Sequence, residues 1–166
     1  MDRLLHYEIS ENLMVATVRL ATLNDCNVLG PRLRDADKYE LKVSCGLGPV
    51  TALTHSLSAS DNAYVAVDEN EVPILMFGVV NAGQDFVGVP WMLGSKGIYQ
   101  HTRQLQAECK QWLDVVHKDY TLLYNYVHAK NPKAIRWLQW MGFTMVQLVP
   151  EFGVGKEPFY EFVKVK

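Results

Sequence analysis

The pattern of apolar positions over residues 122–148 predicts a strand, a short helix and a second strand. Residues 122–129 are apolar and aromatic, which is typical of a strand buried on both faces. Asn131 and Pro132 then suit the cap and first residue of a helix, because the Asn side chain accepts from free N–H groups and Pro lacks one. An apolar stripe at helical spacing follows, and Gly142 suits its end.

The rest of the chain alternates between the same two periodicities. The pattern predicts further strands at residues 13–20, 63–67, 72–80, 86–93 and 158–165, helices at 33–45, 49–58 and 98–117, and turns at 21–25 and 81–85. Pro90 predicts a bend, a bulge or an early end in its strand. Antiparallel strands followed by an α/β crossover indicate a mixed sheet with helices on both faces, in a single domain spanning residues 1–166.

Composition limits the class of protein. The chain has 166 residues, 49% of them hydrophobic, which favours one domain with a sizeable core. Its net charge of −2 argues against a protein that coats nucleic acid. Its three cysteines are widely spaced and form no CxxC pair, so neither a metal site nor a disulfide framework is predicted and a reducing compartment is expected. The longest apolar run, residues 72–80, is too short for a membrane span, and we expect the chain to stay where it is made.

Four residues in the last core helix and its exit carry a resemblance to a known superfamily. Asn131, Ala134, Gly142 and Phe143 match the N-x-x-A…G-F pattern of the Gcn5-related N-acetyltransferases (GNAT), and the order of elements is similar. The resemblance implies an α/β (α+β) fold with a mixed, mostly antiparallel twisted sheet of about six to seven strands and helices on both faces. It also implies a splay between two parallel strands, which acetyl-CoA enters as co-substrate and where a primary amine attacks the thioester.

Several segments also resemble a narrower group of phage proteins. PWMLGS at 90–95, YNYVHAKN at 124–131, IRWLQWMGF at 135–143 and PFYEF at 158–162 are similar to internal virion protein A of short-tailed phages and to related phage acetyltransferases. This resemblance implies a protein of the host cytoplasm or of the virion. Three functions stay open: an acyltransferase acting on a small-molecule or protein amine, a non-catalytic internal virion protein with phage partners, and a host-takeover protein that binds or modifies a host target.

The superfamily resemblance places the cofactor contacts in two regions. The bent strand would hold the pantetheine arm and the loop after it the pyrophosphate, which gives Val89, Trp91, Met92, Leu93, Gly94, Ser95, Lys96 and Gly97. A glycine-containing loop before a helix suits phosphate, although this one departs from the superfamily's Q/R-x-x-G-x-G/A pattern. Asn131 and Lys133 would approach the cofactor from the last core helix, while a helix cap and a solvated helix face account for the same two residues.

The catalytic groups are less sharply indicated. Leu138 stands where many members of the superfamily place a tyrosine that protonates the leaving thiolate, and leucine cannot donate a proton. The candidates for proton transfer are Tyr124 and Tyr126 as the acid, and Asp85, His101 and His128 as the base. Each of these residues also has a structural explanation, such as packing for a sheet tyrosine. Glu151 and Glu157 flank the final loop, which borders the acceptor site by analogy of fold.

Overall fold

The computed structural model describes residues 15–166, which form a seven-stranded sheet and five α-helices. The strands are β1 (Thr17–Leu20), β2 (Ser60–Val67), β3 (Pro73–Asn81), β4 (Val87–Gly94), β5 (Leu122–His128), β6 (Thr144–Phe152) and β7 (Glu157–Val165). The helices are α1 (Leu23–Leu29), α2 (Asp35–Ser44), α3 (Pro49–Ala59), α4 (Thr102–Val116) and α5 (Pro132–Trp140). Residues 13 and 14 of the predicted first strand lie outside the described residues.

The sheet confirms the predicted mixed, mostly antiparallel arrangement. Its strand order is β1-β2-β3-β4-β5-β7-β6, and only β4 and β5 run parallel to each other. One apolar cluster joins α1 and α3 to β2 and β3, and a second joins α4 and α5 to β5 and β7. The helices therefore cover both faces, and the change from antiparallel to parallel pairing falls in the middle of the sheet.

Residues 21–25, predicted as a turn, instead begin the helix α1. The Thr22 hydroxyl accepts from the Asp25 N–H at 3.4 Å, and the Asp25 carboxylate accepts from the Thr22 N–H at 2.8 Å. This reciprocal pair is a capping box. Arg19 on β1 also donates to the buried Asp25 carboxylate at 2.8 and 2.9 Å. The prediction of a turn was wrong because turns and helix caps use the same residue types, and the helix that follows has only seven residues.

Pro90 does not produce a bulge between β3 and β4. The register is continuous from Asn81 paired with Gly88 to Leu75 paired with Gly94, with Val79 opposite Pro90. Peptide groups alternate between the two edges of a strand, and those of the even-numbered residues of β4 point away from β3. Pro90 therefore removes no hydrogen bond from the β3–β4 ladder, which explains why the strand stays regular.

The elements around the last core helix follow the sequence closely, whereas the start of the long helix does not. Asn131 Oδ1 accepts from the Ala134 N–H at 3.2 Å, and Gly142 has a φ of 93°, as the capping and termination pattern predicts. The long helix begins as a 3₁₀ helix, Lys96–His101, before α4. Among residues 15–166, no helix is long and apolar enough to cross a membrane.

Candidate active site

The parallel strands β4 and β5 pair only at their first residues and then separate. Val87 pairs with Leu122 and Gly88 with Leu123, and no later pair follows between these two strands. Pro90 comes next on the edge that faces β5, and it has no N–H with which to extend the ladder. The sheet therefore opens into a cleft between residues 89–94 and 124–128, which is the splay that the superfamily resemblance implies.

Asn125 bridges the two strands at the root of this cleft. Its Nδ2 donates to the Pro90 carbonyl at 2.7 Å, and its Oδ1 accepts from the Tyr126 N–H at 2.8 Å. One side chain thus satisfies a peptide group on each strand where the ladder has ended, and it fixes the width of the root. Sequence reasoning did not select Asn125; its signal was a polar amide inside an otherwise apolar strand.

Replacing Asn125 with leucine is expected to lower the free energy of unfolding by about 1–3 kcal/mol, because the Pro90 carbonyl and the Tyr126 N–H both lose their partner. Urea unfolding of the purified protein measures the change. The matched control is Asn27→Leu at an exposed position of α1, where we expect a change within about 0.5 kcal/mol. Equal stabilities for the two variants would show that the bridge has no structural weight.

Helix α2 crosses the open end of the cleft and bonds to both strands. Asp37 Oδ2 accepts from the Gly94 N–H at the end of β4, at 3.0 Å. Glu40 Oε1 accepts from the His128 N–H at the end of β5, also at 3.0 Å, and from Asn131 Nδ2 at 3.2 Å. Asp37 and Glu40 are one helical turn apart, so a single face of α2 places two carboxylates at the mouth of the cleft.

Both carboxylates are held in surroundings that favour their protonated forms. Burial raises the pKa of Asp37, and the guanidinium of Arg34, at 3.1 and 3.2 Å from its oxygens, opposes that rise only in part. Burial also raises the pKa of Glu40; hydrogen bonds from His128 and Asn131 oppose this, while the charge of Asp37 adds to it. Neither residue was selected from the sequence, because the contacts that bury them join positions more than 50 residues apart.

A cavity of about 340 Å³ lies beside α2 at the end of β5. Its lining comprises Asp35, Ala36, Tyr39, Glu40, His128, Lys130 and Asn131. The structure therefore brings two sequence-predicted residues, His128 and Asn131, to one cavity and adds a carboxylate that the sequence did not reveal.

His128 is fixed in one tautomer by its neighbours. The Lys130 N–H donates to Nδ1 at 3.1 Å, so the ring proton resides on Nε2, which donates to the Glu157 carboxylate. Tyr39 donates its hydroxyl to the other oxygen of Glu157 at 2.5 Å. These bonds, that of Tyr39 first, lower the pKa of Glu157, and the same carboxylate raises the pKa of the Tyr39 hydroxyl. Both nitrogens of His128, the predicted base, are thus engaged within the protein.

Met92 directs its amide toward the cleft, beyond the last residue of β4 that pairs with β5. Alternate residues of β4 direct their peptide groups away from β3, and Pro90, Met92 and Gly94 are in this set. Pro90 has no N–H, and the Gly94 N–H is bonded to Asp37. The pairing of β4 with β5 ends at Gly88 and Leu123, so the Met92 N–H lies beyond the β4–β5 ladder. A carbonyl group entering between the strands would find its hydrogen-bond donor there.

The side chains of the other β4 residues predicted to hold the cofactor point alternately to the two faces of the sheet. Trp91 Nε1 donates to Ser60 Oγ at 2.9 Å, and Trp91 and Leu93 pack on the cluster under α1 and α3. Val89 is half-buried, and 41% of the Met92 surface is exposed. The side chains of Trp91 and Leu93 are therefore committed to the core, and the backbone of Met92 is the part of this strand that faces the cleft.

The amides of the predicted phosphate loop are largely bonded within the protein. The Ser95 N–H donates to the Ile74 carbonyl at 2.8 Å, and the Gly97 N–H donates to Ser95 Oγ at 3.1 Å. Lys96 is exposed on the same loop, as is Lys133 on the first turn of α5. Pyrophosphate binding at this loop stays a prediction, and it depends on the two ammonium groups more than on backbone amides.

The remaining catalytic candidates lie in different places. Tyr124 is half-buried on β5, with its ring edge-on to Tyr126 at 6.3 Å, and burial raises the pKa of Tyr126. Asp85 is exposed in the turn between β3 and β4, at the closed end of the cleft, so the structure separates it from His128. His101 is buried and bonds the Gly97 carbonyl at 3.1 Å. Of these four, only Tyr124 and Tyr126 are on a strand that borders the cleft.

Comparison with known proteins identifies the fold. No protein-family model matches this chain, and no curated protein sequence matches it. Solved structures do match: a spermidine N-acetyltransferase from Vibrio cholerae in complex with CoA and spermine is 13% identical, with a TM-score of 0.67 over 90% of this chain and 95% of that one. A GCN5-related N-acetyltransferase from Kribbella flavida is 16% identical, with a TM-score of 0.65 over 91% and 98%. An acetyltransferase of the GNAT family from Streptococcus pneumoniae is 15% identical, with a TM-score of 0.61 over 91% and 99%.

At these identities the likeness establishes the fold and nothing further. The chain has the fold of the GNAT acetyltransferases, and the predicted fold class is confirmed. The narrower resemblance to phage proteins finds no support in these structures and stays a prediction.

Proposed function

We propose that this protein transfers an acetyl group from acetyl-CoA to a primary amine by direct attack of the amine on the thioester. The observation that carries the proposal is the Met92 N–H, which points to the cleft edge of β4 beyond the last β4–β5 pair, within a sheet that splays at Pro90. The solved structures of the same fold are described as acetyltransferases, and one of them holds CoA and spermine. We also propose that the protein acts in the cytoplasm of a phage-infected host cell, and this part of the proposal rests only on the resemblance to phage proteins.

Acetyl-CoA would supply an acyl carbonyl activated as a thioester. In this proposal the Met92 N–H donates to that carbonyl, and the same bond strengthens as negative charge develops on the oxygen during attack. Asn125 keeps the strands apart at the root, so the donor does not have to be uncovered before the co-substrate enters. The backbone thus supplies the electrostatic stabilisation of the transition state, and the positioning of the two reactants supplies much of the remaining decrease in the activation barrier.

Protonation of the leaving thiolate has no dedicated side chain at Leu138. That residue packs in the apolar cluster between α5 and the sheet. Tyr124 and Tyr126 lie on the strand that borders the cleft and stay the candidates for this step. Solvent water serves equally well, because a CoA thiolate is a good leaving group whose ordinary thiol pKa is about 8–9.

The proposal is tested by calorimetric titration of the purified protein with CoA and with acetyl-CoA. Saturable binding in the micromolar range is expected, since typical KM values for co-substrates are about 1 μM to 1 mM. The control ligand is pantetheine without the nucleotide, which we expect to bind more weakly but at the same cleft. No heat of binding for CoA or acetyl-CoA would exclude this function.

A non-catalytic virion component on the same scaffold is the second candidate. Two observations favour it: Leu138 offers no proton, and the loop amides at Ser95 and Gly97 are bonded internally instead of being free for phosphate. Trp91 nevertheless donates to Ser60 and packs on the cluster under α1 and α3, so its side chain does not fill the cleft. Mass spectrometry of purified phage particles tests this candidate, and absence of the protein from particles would exclude it.

A further inference from the structure

The two carboxylate oxygens of Glu40 differ in their hydrogen bonds, because only one of them accepts from the protein. Oε1 accepts from the His128 N–H at 3.0 Å and from Asn131 Nδ2 at 3.2 Å. Oε2 has no partner among residues 15–166, and Glu40 lines the cavity of about 340 Å³. The carboxylate is therefore held rigidly by one oxygen while the other is available to a ligand in the cavity.

We propose that this cavity, between α2 and the end of β5, receives the acceptor amine, and that Glu40 takes the proton from its ammonium group. The inference rests on the proposed acetyl transfer and adds to it the acceptor's binding site and its general base. The acceptor would be an aliphatic amine that is cationic in solution, because a fixed carboxylate in a partly enclosed cavity recognises a positive charge.

The other charged groups near this cavity are either paired within the protein or exposed to solvent. They are Asp35 and Asp37 from α2, His128 from β5 with its partner Glu157 from β7, and Lys130. Asp37 is paired with Arg34 and with the Gly94 N–H, and Glu157 accepts from both Tyr39 and His128. Asp35 and Lys130 are exposed to solvent. Glu40 is thus a half-buried carboxylate at the mouth of the cleft that combines rigid placement with a free oxygen.

With Glu40 as the base, the bonds and protons of the reaction balance. Its carboxylate takes one proton from R–NH₃⁺ and becomes a carboxylic acid, which leaves a lone pair on R–NH₂. That lone pair forms the C–N bond at the thioester carbonyl, the C–S bond breaks, and the CoA thiolate accepts the second proton of the nitrogen. Glu40 then returns its proton to water, so each turnover yields one amide, one CoA thiol and one proton.

The pH dependence follows from the state in which Glu40 must act. As a base it has to be ionised before the amine binds, so the rate rises with pH as the carboxylate loses its proton. Burial raises the pKa of Glu40, and the charge of Asp37 contributes to the rise. The rising limb of the rate profile is therefore expected above the range of an ordinary glutamate, whose pKa is about 4.3.

The test compares Glu40→Gln with Asp37→Asn in the full chain. Glutamine keeps an oxygen for the His128 and Asn131 donors, so the fold is preserved while the base is lost. Asp37→Asn is the control on the same helix, since it also neutralises a buried carboxylate but one that lies outside the cavity. With n-butylamine and acetyl-CoA, Glu40→Gln is expected to lower kcat about 100-fold or more and to remove the rising limb of the pH profile. Asp37→Asn is expected to keep that limb but to move it to lower pH, because the charge of Asp37 contributes to the raised pKa of Glu40.

Amide NMR gives a readout that does not require turnover. Titration with n-butylammonium is expected to shift the His128 backbone amide and the Asn131 side-chain amide in the wild type and not in Glu40→Gln, and n-butanol is expected to shift neither. CoA binding without those shifts overturns the acceptor site and leaves acetyl transfer standing. The shifts without CoA binding overturn acetyl transfer and leave an ammonium site. An unchanged rate and pH profile in Glu40→Gln overturns the role as a base.

Discussion

Replacing Met92 with proline is expected to reduce acetyl transfer by about 100- to 1000-fold, the usual effect of removing one oxyanion donor. Met92 directs its N–H toward the cleft and away from β3, so the substitution removes the donor without breaking the β3–β4 ladder. Pro90, two residues earlier on the same edge, shows that this strand accommodates proline in the same orientation. The measurement is kcat with acetyl-CoA, together with calorimetric affinity for CoA.

The control for this substitution is Met92→Leu, which changes the half-exposed side chain and keeps the amide. We expect Met92→Leu to retain activity within a few-fold, and both variants to keep the free energy of unfolding within about 1 kcal/mol of the wild type. Full activity in a folded Met92→Pro protein would show that the open amide is not the donor. The comparison separates a backbone contribution from a side-chain one.

Replacing Gly153 with alanine is expected to have the largest effect on stability, about 2–4 kcal/mol. Gly153 has a φ of 69°, and a Cβ there would lie 2.4 Å from the Ser44 carbonyl oxygen at the end of α2. The amides that follow it, Val154 and Gly155, donate to the Ser44 and Val43 carbonyls, at 3.2 and 2.8 Å. The turn between β6 and β7 thus caps α2, and an added methyl group would push the two apart.

Gly83→Ala isolates the part of this cost that comes from the clash. Gly83 has a φ of 81°, but a Cβ there would meet no atom within 4 Å. We expect about 1–2 kcal/mol for this variant, which is the conformational cost alone. Urea unfolding of both variants gives the difference. If the two variants lose the same free energy of unfolding, the β6–β7 turn and α2 can move apart to accept the methyl group with no loss of stability.

The main elements could be read from the sequence because their signals are local. The cap at Asn131, the stop at Gly142 and the apolar stripe between them depend on neighbours within a few residues. The helix that begins after Thr22 was not predicted, although its cap bond is local. This helix is short, and it is held by the buried Asp25 and its pair with Arg19, which the local pattern does not reveal. Periodicity alone does not separate such a helix from a turn.

The candidate site was less accessible to sequence reasoning. Asp37 and Glu40 lie in a polar helical stretch, and their burial results from bonds to Gly94, His128 and Asn131, more than 50 residues away. The resemblance indicated β4 and the loop after it but gave no means of choosing among the eight strand and loop residues that it selected between positions 89 and 97. We chose Met92 among them from the direction of its peptide group, and that direction depends on a strand register that only the folded sheet defines.

Amide NMR of the protein with and without acetyl-CoA tests the central claim most directly, namely that the cleft at β4 binds the acyl thioester through the Met92 N–H. Saturating acetyl-CoA is expected to shift the Met92 amide strongly, along with the neighbouring amides of residues 88, 89, 91, 93 and 124–128. The Asn27 amide on α1 is the internal reference and is expected to stay in place. An unchanged Met92 amide at saturating acetyl-CoA would contradict the account.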